Sequence, residues 1–235
     1  MTFSLIGRCA GTGQFGAAVA TSSIAVGARV PFAMASVGAV LTQHRTDPRL
    51  GPRGLALLRS GCTAQQTVDA LVASTPAHRW RQLAAIDATG CTAHFHGSAV
   101  KPALNAAHGT NVVGIGNILA NDAVPAAMVE AFVRSSGETL AERLVRGLEA
   151  GEAAGGENGD VWSAALLVVE RKTFPLVDLR VDRLQNPVPG LRALWNAYAP
   201  DVREFVIRAV DPERAAPPGP DRAAPSGPDQ ANVPS

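Results

Sequence analysis

The chain has 235 residues, 46% hydrophobic and 17% charged, which suits one large folded domain and excludes disorder over most of its length. Its net charge is +1, from 21 Lys and Arg against 20 Asp and Glu, with neither the basic excess nor the basic stripe of a nucleic-acid binder. No apolar run approaches the roughly 18–20 residues that cross a bilayer. The start, Met1-Thr2-Phe3-Ser4-Leu5-Ile6, has no basic segment followed by an apolar stretch, so a cytoplasmic protein with no membrane partner is expected.

Aromatic residues make up only 5%, so the core must be built from Ala, Val, Leu and Ile. Cys9, Cys62 and Cys91 are odd in number and far apart, and they read as reduced small residues rather than a disulfide framework.

Residues 3–9 and 15–23 read as two strands joined by the Gly11-Thr12-Gly13 turn. After Pro31, the stretch from Phe32 to Thr42 reads as one strand, or as two with a bend at Gly38. A polar loop, Gln43-His44-Arg45-Thr46-Asp47-Pro48, follows. A helix is expected from Leu55 to near Gly61. Thr63 and Gln66 then form a capping-box pattern that starts a second helix running through Val72.

Strands are expected at 81–87 and 92–96, joined by Ala88-Thr89-Gly90, and at 112–119. Helices follow at about 124–133 and 140–150, and a glycine- and acid-rich loop at 151–160. Strands at 163–170 and 176–181 precede a helix carrying Leu191, Leu194, Trp195 and Tyr198.

Repeated hairpins imply antiparallel sheets rather than a doubly wound parallel one. The expectation is an α+β fold, with two antiparallel sheets stacked between helix layers, over residues 1–210. From Pro212 the near copies Glu213-Arg214-Ala215-Ala216-Pro217 and Asp221-Arg222-Ala223-Ala224-Pro225 carry too little apolar surface to fold, so 211–235 is expected to be a disordered tail.

An ordered series of segments over about 2–200 resembles the DUF1028 family. It includes Thr2-Phe3-Ser4, Val37-Gly38-Ala39-Val40 with Thr42-Gln43, and Gly51-Pro52-Arg53-Gly54-Leu55. It continues with Gly116-Asn117-Ile118-Leu119, Gly151-Glu152-Ala153-Ala154-Gly155-Gly156 and Val177-Asp178-Leu179-Arg180-Val181-Asp182. The resemblance implies an N-terminal-nucleophile hydrolase: a four-layer αββα sandwich that cleaves amide-type C–N bonds at one end of its sheets. It also admits hydrolysis or deamination of small nitrogenous catabolites, with a bound zinc as the alternative to a cofactor-free site, or a non-catalytic small-molecule-binding protein on the same scaffold.

Within that expectation Thr2 is the first catalytic candidate. Removal of Met1 would leave its α-amine, with a pKa near 8, beside its own hydroxyl. The alternative is an ordinary first strand residue. Ser4 shares a strand face with Thr2 and is the reserve. His44 is a candidate base or metal ligand, or else a surface loop residue, with Gln43, Arg45 and Asp47 around it as substrate contacts. Asn117 is a candidate oxyanion donor, or else a turn residue satisfying its own backbone.

Glu152 is a candidate to point into the site, whereas Glu157 reads as a solvated charge. Ser22 and Ser23 can offer hydroxyls at the end of the second strand, or pack closely under a helix. Arg81 and Gln82 read as ties between strand ends, outside catalysis. His94 and His96, at i and i+2, face one side of a strand and with His108 form the candidate zinc set.

The expected partner is a small-molecule substrate, and Trp195, Tyr198 and Phe205 read as exposed residues suited to a homo-oligomer contact.

Overall fold

In the computed structural model, which describes residues 1–216, the first hairpin pairs β1 (Thr2–Arg8) with β2 (Phe15–Thr21). The stretch after Pro31 splits into β3 (Pro31–Met34) and β4 (Gly38–Gln43). Helices α1 (Leu50–Arg59) and α2 (Ala64–Ala73) follow, then β5 (Gln82–Ile86), β6 (Thr92–His96), β7 (Leu104–Gly109) and β8 (Val112–Asn117). The chain continues through α3 (Val124–Arg134), α4 (Leu140–Ala153), β9 (Ser163–Val169), β10 (Val177–Val181) and α5 (Pro187–Tyr198).

All strand pairs are antiparallel. One sheet has the order β10-β9-β2-β1-β8-β7 and the other β3-β4-β5-β6, so the fold is mixed α+β with two antiparallel sheets.

A second compact unit begins at Pro200. It holds α6 (Val202–Val210), which the sequence pattern did not reveal, and a short 3-10 turn at Pro212–Arg214. The expected tail lies outside the described residues from 217 onward.

Alternation along β1 organises the interior. Ile6 joins a cluster with Leu41 and Ile86 of the smaller sheet, and Ser4 bonds to Gln43 of that sheet. Thr2, Ser4 and Ile6 therefore look toward the other sheet, whereas Phe3 and Leu5 look toward α4. A Cβ on Gly147 would stand 2.5 Å from Leu5 Cδ1, and one on Gly151 would stand 3.1 Å from Phe3 Cδ2. Both glycines let the helix press onto the strand. Helices α1 and α2 cover the outer face of the smaller sheet through Leu50, Leu55, Val68 and Leu71, packed on Val40 and Leu83.

Several boundaries move. Helix α1 starts at Leu50, because Pro52 is tolerated in a first turn, and α4 runs to Ala153 through both glycines. Strand β7 was not expected at all. The Thr63 capping box is formed as read: Gln66 N donates to Thr63 Oγ1 at 3.2 Å and Thr63 N to Gln66 Oε1 at 2.9 Å. Trp195 is a correction. It is buried, and its Nε1 donates to Glu142 at 2.8 Å, so it ties α5 to α4 instead of facing solvent.

A buried polar chain joins the sheets at one end. Ser4 Oγ donates to Gln43 Oε1 at 2.6 Å, and Gln43 Nε2 donates to Gln82 Oε1, also at 2.6 Å. Asn117 Nδ2 donates to the same Gln82 oxygen at 2.8 Å, and Gln82 Nε2 donates to the Gly116 carbonyl at 2.7 Å. All four side chains are fully buried. Each group left without a partner in such a place costs about 1–3 kcal/mol. Gln82→Leu is therefore expected to lose about 3 kcal/mol or more in urea unfolding, against about 1 kcal/mol for Thr63→Ala at the α2 cap.

Candidate active site

Thr2 begins β1, one of the two central strands of the larger sheet, cross-strand from Thr21 on one side and Asn117 on the other. A cavity of about 410 Å³ opens at this end, lined in part by Met1, Thr2, Thr21, Ser23, His44 and Arg45. That volume suits a metabolite-sized ligand. Thr2 Oγ1 lies 3.1 Å from Thr21 Oγ1, and both hydroxyls donate to the Met1 carbonyl. With Met1 in place, the candidate nucleophile is thus engaged by the residue that precedes it.

Three residues on the rim hold left-handed backbone that side chains other than glycine rarely adopt: His44 at φ 51°, Arg45 at 42° and Ile118 at 52°. For a β-branched residue such as Ile118 this is a true outlier. Strain of this kind, on the order of 1–3 kcal/mol per residue, persists only where surrounding structure enforces it, and it clusters at working sites.

His44 is half-buried and stacks parallel to Trp80, with ring centroids 6.4 Å apart. Its Nδ1 lies 3.0 Å from the Trp80 carbonyl, which fixes the proton there and leaves Nε2 as acceptor toward the Lys101 N–H at 3.5 Å. Burial pushes its pKa down, and the nearby N-terminal amine, Arg45 and Lys101 push the same way.

Glu157 departs from expectation. It is buried, not solvated, because residue 157 bridges to Leu119 and draws the loop inward. Its two oxygens accept from Ser22 N at 3.1 and 3.0 Å. Burial pushes its carboxyl up to about 7, against the opposing pull of the N-terminal amine and the Ser22 N–H. Burial also lowers the pKa of the Met1 amine, which favours its neutral form.

The other candidates divide. Ser23, His44 and Arg45 line the cavity with Thr2, and Ser22 holds Glu157 beside it. Ser4, Gln43 and Asn117 lie beneath it in the buried amide chain, although Asn117 Oδ1 has no partner among the described residues. Asp47 is buried under the loop, clamping Arg49 with bonds of 2.9 and 2.8 Å, and Arg49 holds its carboxyl below the usual range. Glu152 is half-buried on α4 outside the cavity lining, and burial raises its pKa.

The three histidines do meet, but elsewhere. His94 Nδ1 lies 2.7 Å from His108 Nε2, and His108 Nδ1 lies 2.7 Å from Thr92 Oγ1. These spacings are ring-to-ring and ring-to-hydroxyl hydrogen bonds. Among the described residues no group of three or more His, Cys, Asp or Glu is arranged to hold a metal ion.

Sequence reasoning missed Arg29 and Lys101 on the cavity wall. Arg29 gave no signal among scattered arginines. Lys101 had one: it is one of two lysines among 21 basic residues.

The family described as "Family of unknown function (DUF1028)" matches residues 2–191. The chain belongs to DUF1028. A DUF1028 protein from Silicibacter pomeroyi, known from its crystal structure, is 32% identical with a TM-score of 0.78, over 84% of this chain and 89% of that one. Anbu, the ancestral beta-subunit from Yersinia bercovieri, is 9% identical with a TM-score of 0.37, over 86% of this chain and 96% of its own. No curated protein matches. Among the described residues no helix is long and apolar enough to cross a membrane.

Two pH effects follow from these environments. Folded Glu157 ionises near 7 and its unfolded form near 4.5, so the unfolded chain sheds this proton first. Glu157 therefore costs stability progressively as pH rises from about 4.5 to 7. Glu157→Gln is expected to gain Tm relative to the native chain across that window, with no further gain above it, in calorimetric scans at stepped pH.

His96 runs the other way. Burial, with His94 beside it, pushes its pKa from 6.5 down to about 4. The unfolded chain then binds the proton first, and the His96 contribution is lost as pH falls from about 6.5 to 4. His96→Gln is expected to flatten the acid limb of the same Tm profile; an unchanged limb would reject this assignment.

Proposed function

We propose that this DUF1028 protein is a hydrolase of the N-terminal-nucleophile type, cleaving a C–N bond in a small polar metabolite. In this reading α1 and α2 on the smaller sheet, and α3 and α4 on the larger one, complete an αββα sandwich whose sheet ends carry the site. The observation that supports it most directly is the Thr2 hydroxyl, at the start of β1 and on the wall of a cavity of about 410 Å³ rimmed by left-handed residues.

Loss of Met1 removes the carbonyl that both Thr2 and Thr21 hydroxyls donate to. The new α-amine of Thr2 then takes the proton from its own Oγ1 as that oxygen attacks the substrate carbonyl carbon. The C–N bond breaks, the proton passes to the departing nitrogen, and an ester to Thr2 remains. Water hydrolyses that ester and restores the hydroxyl. An amine works as the base only while neutral, and burial at this strand end favours the neutral form, as it does for the Met1 amine. Nucleophile and base belong to one residue, so the scheme needs no cofactor.

Asn117 has a supporting part here. Its amide is bonded to Gln82, which holds the strand end opposite Thr2 in register.

Turnover is tested by amine release from a panel of small amides, alongside intact mass to establish whether Met1 is gone. The Met1-free protein is expected to turn over at least one member. Thr2→Ala is expected to lose about a thousandfold or more in rate while keeping its unfolding transition. Full activity in Thr2→Ala, or in protein that retains Met1, would sink the scheme.

A further inference from the structure

The cavity wall is chemically one-sided. Arg29, Arg45, Lys101 and His44 contribute to it, whereas none of its lining residues is an aspartate or glutamate. Two neighbouring carboxylates are already engaged: Glu157 faces Ser22 N and the N-terminal amine, and Asp47 is clamped by Arg49.

The cations are also free to act. Arg29 fixes itself with one nitrogen, Nη1 donating to the Ile24 carbonyl at 2.7 Å and the Ala25 carbonyl at 3.1 Å, which leaves the rest of its fork unbound. The Lys101 side chain is exposed and makes no salt bridge among the described residues, yet it lies close enough to influence both the N-terminal amine and His44. Arg45 lies over Trp80, its guanidinium carbon 4.3 Å from the ring centroid, which holds a positive charge at the rim.

A wall carrying several cations and no anion, around a cavity the size of a small metabolite, is an arrangement for a ligand with negative charge. We propose that the substrate carries an anionic group, a carboxylate or a phosphate, received by Lys101 and Arg29 while its scissile C–N bond lies at Thr2. This deepens the hydrolase reading and rests on it for the reacting end, but the anion site is a matter of binding and can be tested without turnover.

The test uses the full chain and the Thr2→Ala variant, each titrated calorimetrically with N-acetylglycine, with its uncharged counterpart N-acetylglycinamide, and with inorganic phosphate. Binding of N-acetylglycine or phosphate by both proteins is expected, with N-acetylglycinamide at least about tenfold weaker than N-acetylglycine, the scale of one charge-assisted hydrogen bond. Carboxylate and phosphate arms distinguish which anion the wall accepts. Lys101→Gln is expected to weaken the anion about tenfold and to leave the unfolding transition unchanged, since that ammonium makes no bond among the described residues. Raising salt should weaken the anion and leave the amide unaffected.

Equal affinity for N-acetylglycine and N-acetylglycinamide, an unchanged anion affinity in Lys101→Gln, or no binding of either anion would overturn the proposal. Anion binding without any amide turnover would leave the anion site standing and remove the hydrolase reading. Turnover of neutral amides without anion binding would do the reverse.

Discussion

The end of this fold that carries the cavity depends on a short chain of buried amides. Gln82 is its hub, accepting from Gln43 and from Asn117 at one oxygen and donating to the Gly116 carbonyl. Its partners come from both sheets, so the chain acts as a fixed polar spacer between layers otherwise held by non-directional apolar contact. Hydrocarbon packing tolerates sliding; a chain of hydrogen bonds of 2.6–2.8 Å does not. Strand β1 is thereby set in register beside β8, and its first residue is held at the sheet end where the interior stops and the cavity begins. The apolar cluster of Ile6, Leu41, Ile86 and Ile115 fills the gap deeper in.

Charge is distributed by the same geometry. Beneath the cavity the polar groups are neutral amides and the Ser4 hydroxyl, bonded to one another except at Asn117 Oδ1. Around it they are cationic, and the buried carboxylate of Glu157 is held by the Ser22 N–H beside the N-terminus. An amine there feels opposing influences. Burial disfavours its charge, Glu157 favours it, and Lys101 disfavours it again, with burial the largest. The net shift is downward, toward the neutral form.

Much of the strand layout was legible because period-two alternation and turn chemistry are local. The Gly11–Gly13 hairpin, the Thr63 capping box and the shared face of Thr2 and Ser4 all follow from neighbours in sequence. What escaped was long-range. Strand β7 has Asn105 and His108 but no β-branched residue, and as an edge strand it relies on β8 for its identity. Helix α4 runs past its expected end: Gly151 looks like a break, although close contact with Met128 and Phe3 is what demands a glycine there. Glu157 looked solvated because its burial comes from a bridge to Leu119, 38 positions earlier. Spacing correctly put His94 and His96 together, and only the unforeseen β7 brings His108 to them, away from the cavity lining.

Local strain and the buried spacer are two halves of one arrangement. The chain leaves β4 directly after Gln43, the residue anchored in the amide chain, and enters left-handed backbone at His44 and Arg45 at once. Likewise it leaves β8 after Asn117, anchored on Gln82, and turns left-handed at Ile118. In both cases an immobilised amide ends a strand, and the next residue absorbs the change of direction at a conformational cost. That cost can be sustained because the preceding anchor and the Trp80 contacts of His44 and Arg45 leave the turns little freedom. The result is a rim whose direction is set by the backbone, around the strand end that carries the Thr2 hydroxyl.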